Sequence, residues 1–207
     1  MKNFFNVDNP IWKFIGNLAD FFLLSVFWLI CSLPIITIGA STSALYYTTL
    51  KMASNQDGYT VSSFFSSFKM NLKNGILMWC PLLLILAILG IDCYWALSLG
   101  STVSISLLLP FFVLILATLL TARMSFVLLA RCENTAKKLL LMSVPMGIKN
   151  FFPVLSTIVL SLGYYLFGIF VFWPILIVGP GLCAYINSFI FNRILKKYGL
   201  TLEETNE

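Results

Sequence analysis

The sequence predicts an all-α, polytopic membrane helical bundle, and three observations carry that reading. Of 207 residues, 59% are apolar and only 10% charged. A soluble domain carries about 25% charged residues, so this chain lacks the charge to cover a water-facing surface, and its mean hydropathy is +0.94. Apolar runs recur at the length of a bilayer crossing, roughly 20 residues. Finally, the 13 Lys and Arg residues fall in or near the N-terminus, 51–73, 123–149 and 193–197, and the connections near 34, 99–104 and 173–174 carry none. A single membrane domain over 1–207 is expected.

The elements follow in order. Lys2 to Lys13 mixes polar and aromatic residues with Asp8 and Pro10, unlike a cleavable signal peptide, and reads as a lead-in at the membrane surface. A first span runs over 14–33. Pro34 follows, then a second span over 35–52, rich in small and hydroxyl residues, with a re-entrant segment as the alternative. Asn55-Gln56-Asp57-Gly58 is turn chemistry. In 60–73, Phe64, Phe65, Phe68 and Leu72 fall on one helical face with Ser and Lys opposite, which predicts an interfacial amphipathic helix. Spans follow over 74–98 and 105–130, with Pro110 in the latter. A second amphipathic, basic segment covers 131–147. Two more spans, 151–172 and 175–195, are parted at Trp173-Pro174, and a short acidic tail ends the chain. Six spans in three hairpins put every basic connection on one side. Basic residues stay on the cytoplasmic side, so both termini are expected there.

Hairpins one and three echo each other. Pro34-Ile-Ile-Thr-Ile-Gly39 parallels Pro174-Ile-Leu-Ile-Val-Gly179, with Ala44 and Ala184 five residues on, and Lys73-Asn74 parallels Lys149-Asn150. Repeats of this sort occur in transporters and in other membrane proteins.

Candidate sites are few. Pro34, Thr37, Gly39, Ser41 and Thr42 form a small, hydroxylic patch, which suits either close helix packing or a polar lining for a ligand. Gly179-Pro180-Gly181 breaks a span, and irregular backbone at membrane depth is tolerated only when buried in protein or lining a cavity. Asp92, Arg123 and Asp20 are intramembrane charges, costly at that depth and often functional; Asp20 has a simpler reading, pairing with a nearby Lys. Phe64, Phe68, Lys69 and Lys73 are a candidate partner-docking face. The five Trp residues read as an interfacial aromatic belt.

Catalytic chemistry is not indicated. There is no His, which removes the commonest general base and metal ligand. The five cysteines are odd in number and form no C-x-x-C pair. No phosphate-binding loop, nucleophile elbow, zinc-protease motif or paired carboxylate occurs. No enzyme activity, cofactor or metal is expected, and the basic loops answer to anionic lipid, not nucleic acid.

Ser32-Leu-Pro-Ile-Ile-Thr-Ile-Gly-Ala40, running on to Ala44-Leu-Tyr-Tyr47, resembles the signature of the YesL-like bacterial membrane proteins, a family of unknown function. Phe64-x-x-x-Phe68-Lys69-x-Asn71-x-Lys73 is similar to its second motif, and Gly179-Pro180-Gly181 with Asn187 to its C-terminal region. The chain departs from the pattern at Ala40-Ser41, where Gly-Pro or a close variant is expected. The resemblance implies a multi-span protein of the bacterial cytoplasmic membrane, often encoded beside carbohydrate ABC-transporter genes. It supplies no catalytic residues. Together these readings favour a non-enzymatic accessory to a carbohydrate uptake system, with sugar ABC-transporter permease subunits and the lipid bilayer as partners. The alternative is a small-solute transporter or channel in its own right, which would hold a polar cavity containing Thr37, Ser41 and the Gly179–Gly181 break. A membrane enzyme acting on lipid ranks third, lacking clustered carboxylates. The sequence leaves both a monomer and an oligomer open.

Overall fold

The computed structural model describes residues 10–54, 56, 59–98, 102–170 and 175–200, with backbone alone for 10–17, 102–107, 175, 177 and 178. The lead-in over 2–9, the turn at 99–101, the Trp173-Pro174 turn and most of the acidic tail lie outside the described residues. The elements are α1 (Pro10–Ser32), α2 (Ile38–Ala53), α3 (Thr60–Ser98), α4 (Thr102–Arg131), α5 (Ala136–Lys149), α6 (Phe151–Phe170) and α7 (Ile175–Lys197), with a short 3-10 turn over Ile35–Thr37 before α2. No strand occurs among the described residues, and the all-α bundle is borne out.

Among the described residues, three helices are long and apolar enough to cross a membrane: Thr60–Ser98, Leu108–Arg131 and Phe151–Phe170. Their outward faces confirm the solvent they suit. On α3, Leu84, Ile88, Ile91 and Trp95 are half exposed or more, and on α6 so are Val159, Leu162, Leu166 and Ile169. Each series steps by three or four residues along one helical face. Apolar stripes of this extent are untenable in water, and lipid tails cover them at no cost.

One of the two least apolar helices is the innermost. α2 has 16 residues, about 24 Å at 1.5 Å per residue, less than the roughly 30 Å hydrocarbon layer. It packs against α1, α3, α4 and α7, and ten of its residues are buried, among them Ser41, Ser43, Thr48 and Thr49. Apart from Ser43, whose buried Oγ has no partner, its hydroxyls are spent locally or across helices: Thr48 and Thr49 donate to the carbonyls of Ala44 and Leu45, and Ser188 of α7 lies 2.8 Å from Thr49 Oγ1. Without hydrophobic drive between helices in lipid, small residues and such bonds hold the bundle. Gly39 and Gly75 show the first device. A Cβ on Gly39 would lie 2.6 Å from the Gly75 carbonyl oxygen, and one on Gly75 would lie 2.7 Å from the Ala40 backbone.

One element differs from expectation. The amphipathic segment 60–73 and the span 74–98 are a single 39-residue helix, α3, about 58 Å long. Lys73-Asn74 is charged and polar but holds no helix-breaking residue, and Gly75 serves a helix crossing instead of a turn. The segment does not lie flat at an interface by its aromatic face, because Phe64, Ser67 and Asn71 are buried against the bundle. The second amphipathic segment appears as α5, which buries Leu139, Ser143, Met146 and Gly147 and leaves Leu141, Val144 and Ile148 exposed. Asn150 marks the α5–α6 junction, whereas Asn74 sits inside α3, so the internal echo does not extend to these two asparagines.

Candidate functional site

Among the described residues, six helices leave a partly open cavity of about 220 Å³ between them. α1 contributes Trp28; α2 contributes Thr42, Leu45 and Tyr46; α3 contributes Trp79 and Leu86. α4 brings Leu119, Ala122, Arg123 and Phe126, α6 brings Ser161 and Tyr165, and α7 brings Pro180, Cys183, Ala184 and Asn187. The volume falls somewhat below the ~300–1,000 Å³ of drug-sized sites and suits a small solute.

The walls are built by hydrogen bonds that fix the ring positions. Trp28 Nε1 donates to Thr42 Oγ1 at 3.1 Å, and Trp79 Nε1 donates to the Ile35 carbonyl at 2.8 Å. These two tryptophans are therefore structural walls of the cavity and not belt residues, while Trp95, 67% exposed, keeps the belt's outward position.

Arg123 is the one formal charge on the lining. Its Nη1 donates to Tyr46 Oη at 2.8 Å, and Tyr46 is itself held edge-on against Phe191, ring centres 5.3 Å apart. Among the described residues, no carboxylate meets Arg123 and its one hydrogen bond is that to Tyr46. Asp92 and Asp20 are each half-buried on other helices and do not pair with it.

Opposite, Asn187 is 1% exposed. Its Nδ2 donates to Ser161 Oγ at 3.1 Å, and Ser161 in turn donates to the Thr157 carbonyl at 2.7 Å. Because the serine proton is committed to that carbonyl, Ser161 can only accept from the asparagine, which fixes the amide's orientation. Asn187 Oδ1 is left as a buried acceptor without a partner.

The sequence-predicted residues divide. Thr42, Pro180 and Arg123 reach the cavity. Thr37 and Ser41 do not: the Thr37 hydroxyl lies 2.6 Å from the Cys31 carbonyl and 2.7 Å from that of Pro34, bracing the turn, and Ser41 Oγ lies 2.6 Å from Ser32 Oγ. Pro34 is exposed at that turn, and Gly39 is consumed by packing. The expected break at Gly179-Pro180-Gly181 is continuous helix within α7. The Gly181 N–H donates to Ser25 Oγ at 2.8 Å, a close approach of α1 and α7 that a side chain at 181 would block. The ring of Tyr164 fills the space a Cβ on Gly179 would occupy. Of the docking face, Phe64 is fully buried and Phe68 half-buried, which leaves Lys69 and Lys73 outward.

Tyr46, Ser161, Tyr165 and Asn187 went unassigned as a site by the sequence. Ser161 and Tyr165 are ordinary residues in an apolar run, Tyr46 and Asn187 stand in the stretches that carry the family resemblance without a role attached, and only the fold brings all four to one cavity with Arg123. No group of three or more metal-ligating side chains is present among the described residues.

Residues 21–93 match the family described as protein of unknown function, DUF624. This agrees with the resemblance to YesL-like proteins. The DUF624 segment runs from within α1 to near the end of α3 and supplies Trp28, Thr42, Tyr46 and Trp79 to the cavity, while Arg123 and Asn187 come from beyond it. No curated protein and no solved structure matches the chain.

Proposed function

We propose that this chain is a membrane-embedded, non-enzymatic solute-binding protein of the transporter type, holding a small polar molecule inside its bundle. The observation that supports this reading is the cavity itself, which six helices line with Arg123 and with the aromatic side chains of Trp28, Trp79, Tyr46 and Tyr165. A bundle built only for packing fills such a space with apolar side chains, and an arginine at membrane depth is costly unless it serves a ligand or an ion path. The role as accessory to a carbohydrate uptake system rests on the family resemblance, and the docking face that favoured it is half turned inward.

The membrane is proposed to be a bacterial cytoplasmic membrane with both termini on the cytoplasmic side, as the one-sided placement of Lys and Arg supports.

The test is thermal stabilisation of the purified protein by a panel of neutral and charged solutes of up to about ten heavy atoms, compared with an Ala184→Phe variant whose added ring fills the cavity. Saturating ligand at 100 times Kd should stabilise the wild type by about 2.7 kcal/mol and leave the variant unmoved. If no solute acts and Ala184→Phe is simply more stable, the space is a packing defect and the reading fails.

A further inference from the structure

We infer that the cavity binds an oxyanion, a carboxylate or a phosphate, with Arg123 as its counter-charge and Asn187 as the acceptor for a hydroxyl or amine on the same molecule. The inference rests on the solute-binding reading and specifies the ligand class.

Two independent observations lead there. Arg123 carries a permanent charge inside a helix whose outer faces suit lipid, and its one described partner, Tyr46 Oη, is neutral. A guanidinium offers five donors in a planar fork that matches carboxylate or phosphate in bidentate fashion, and only one is spent on the protein. Asn187 Oδ1 is the second observation. It is a buried acceptor with no donor, its orientation fixed by Ser161. An unsatisfied buried acceptor is a cost that proteins rarely leave standing; Asn187 lines the cavity with its Oδ1 closed off, so a ligand hydroxyl or amine satisfies it after a small turn of the amide. The site thus lacks one anion and one donor, which a small hydroxylated acid or phosphate ester supplies together. The rings of Trp28 and Trp79, held by their own hydrogen bonds, line the same cavity and offer its carbon skeleton an apolar wall.

The oxyanion could arrive free in solution or as the headgroup of an anionic lipid, since the cavity is partly open. Both sources present the same chemistry to Arg123, and the experiment separates them.

The protein is purified in an uncharged detergent. Calorimetry then measures binding of glycerol, glycerate, glycerol 3-phosphate and inorganic phosphate, and native mass spectrometry detects any retained phospholipid. The expected result is binding of glycerate or glycerol 3-phosphate at least about tenfold tighter than of glycerol, the lower end of what hydrogen bonds to a charged group contribute. Arg123→Gln should remove that preference and Arg123→Lys should keep part of it. Retention of an anionic phospholipid by the wild type and its loss from Arg123→Gln supports the inference with lipid as the source. If Arg123→Gln does not fold, the wild-type preference among the four probes still decides. Equal binding of glycerol and its two anionic relatives overturns the anion assignment and leaves the solute-binding reading standing. If no probe binds and no lipid is retained, both fall.

Discussion

Two glycines in one helix offer a controlled measurement of how tightly α2 and α3 are pressed together. A Cβ placed on Gly75 would lie 2.7 Å from the backbone of Ala40, and a Cβ on Gly90 would meet nothing within 4 Å. Because the obstacle at Gly75 is backbone, no rotamer change relieves it. The helices must part by about 0.7 Å to regain ordinary van der Waals contact, and close-packed interiors resist that. Overpacking of this kind costs about 1–3 kcal/mol. Replacing glycine by alanine inside a helix also gains up to about 1 kcal/mol of helix propensity, which could mask the clash. That gain is common to both sites, so it cancels in the difference. Gly75→Ala should be less stable than Gly90→Ala by about 1–3 kcal/mol, which in a chain of this size is several degrees at about 2–4 °C per kcal/mol. Thermal melting in detergent, followed by tryptophan fluorescence, measures it. If the two variants melt together, the α2–α3 contact is looser than described and the argument for a fixed crossing is wrong.

Two further predictions test other parts of the bundle. Phe64→Ala removes a fully buried ring and should destabilise the protein by about 3–5 kcal/mol, against about 0.5 kcal/mol for Met70→Ala, whose side chain is 57% exposed; equal, small effects in denaturant melts would return Phe64 to a docking role. Cys132, just past the end of α4, has its thiol pushed up by burial, which outweighs the opposing effect of Arg131. A raised pKa means less thiolate at a given pH, so iodoacetamide at pH 8 should modify Cys132 more slowly in the folded protein than after unfolding in SDS, and faster labelling of the folded form would contradict that burial.

The sequence carried the architecture further than the site. Long apolar runs report membrane-length helices directly, because the outward face and the packed face both meet apolar surroundings, and α4, α6 and α7 fall near their expected bounds. Charge at Lys73-Asn74 was a poor guide to a helix end. Helices stop where the backbone can no longer continue, and nothing there prevents it; the residues are polar because α3 outruns the hydrocarbon layer. The hydroxyl patch misled in a related way. Thr37, Ser41 and Thr42 are alike in composition, but helical spacing directs Thr42 toward Trp28 and the cavity, while Ser41 meets Ser32 and Thr37 braces the turn. Arg123 was legible because a charge at membrane depth always needs a reason. Asn187 was not, since whether an asparagine carbonyl lacks a donor depends on Ser161 from another helix.

The tight crossing and the cavity are not separate features, because Trp79 belongs to both. It sits one turn beyond Gly75 on α3, and its Cβ would be 2.7 Å from a Cβ on Gly39. From there its ring reaches the cavity, packs against Phe126 at 5.8 Å between centres, and bonds the Ile35 carbonyl at the turn before α2. Phe126 in turn lies one helical turn from Arg123. Moving α3 away from α2 therefore shifts a wall of the site and strains the hydrogen bond that orients it. Two small residues outside the cavity lining thus set the spacing of the wall beside Arg123. If the proposed solute binding holds, side chains added at Gly39 or Gly75 are expected to weaken it as well as the fold, and those added at Gly90 to leave both intact.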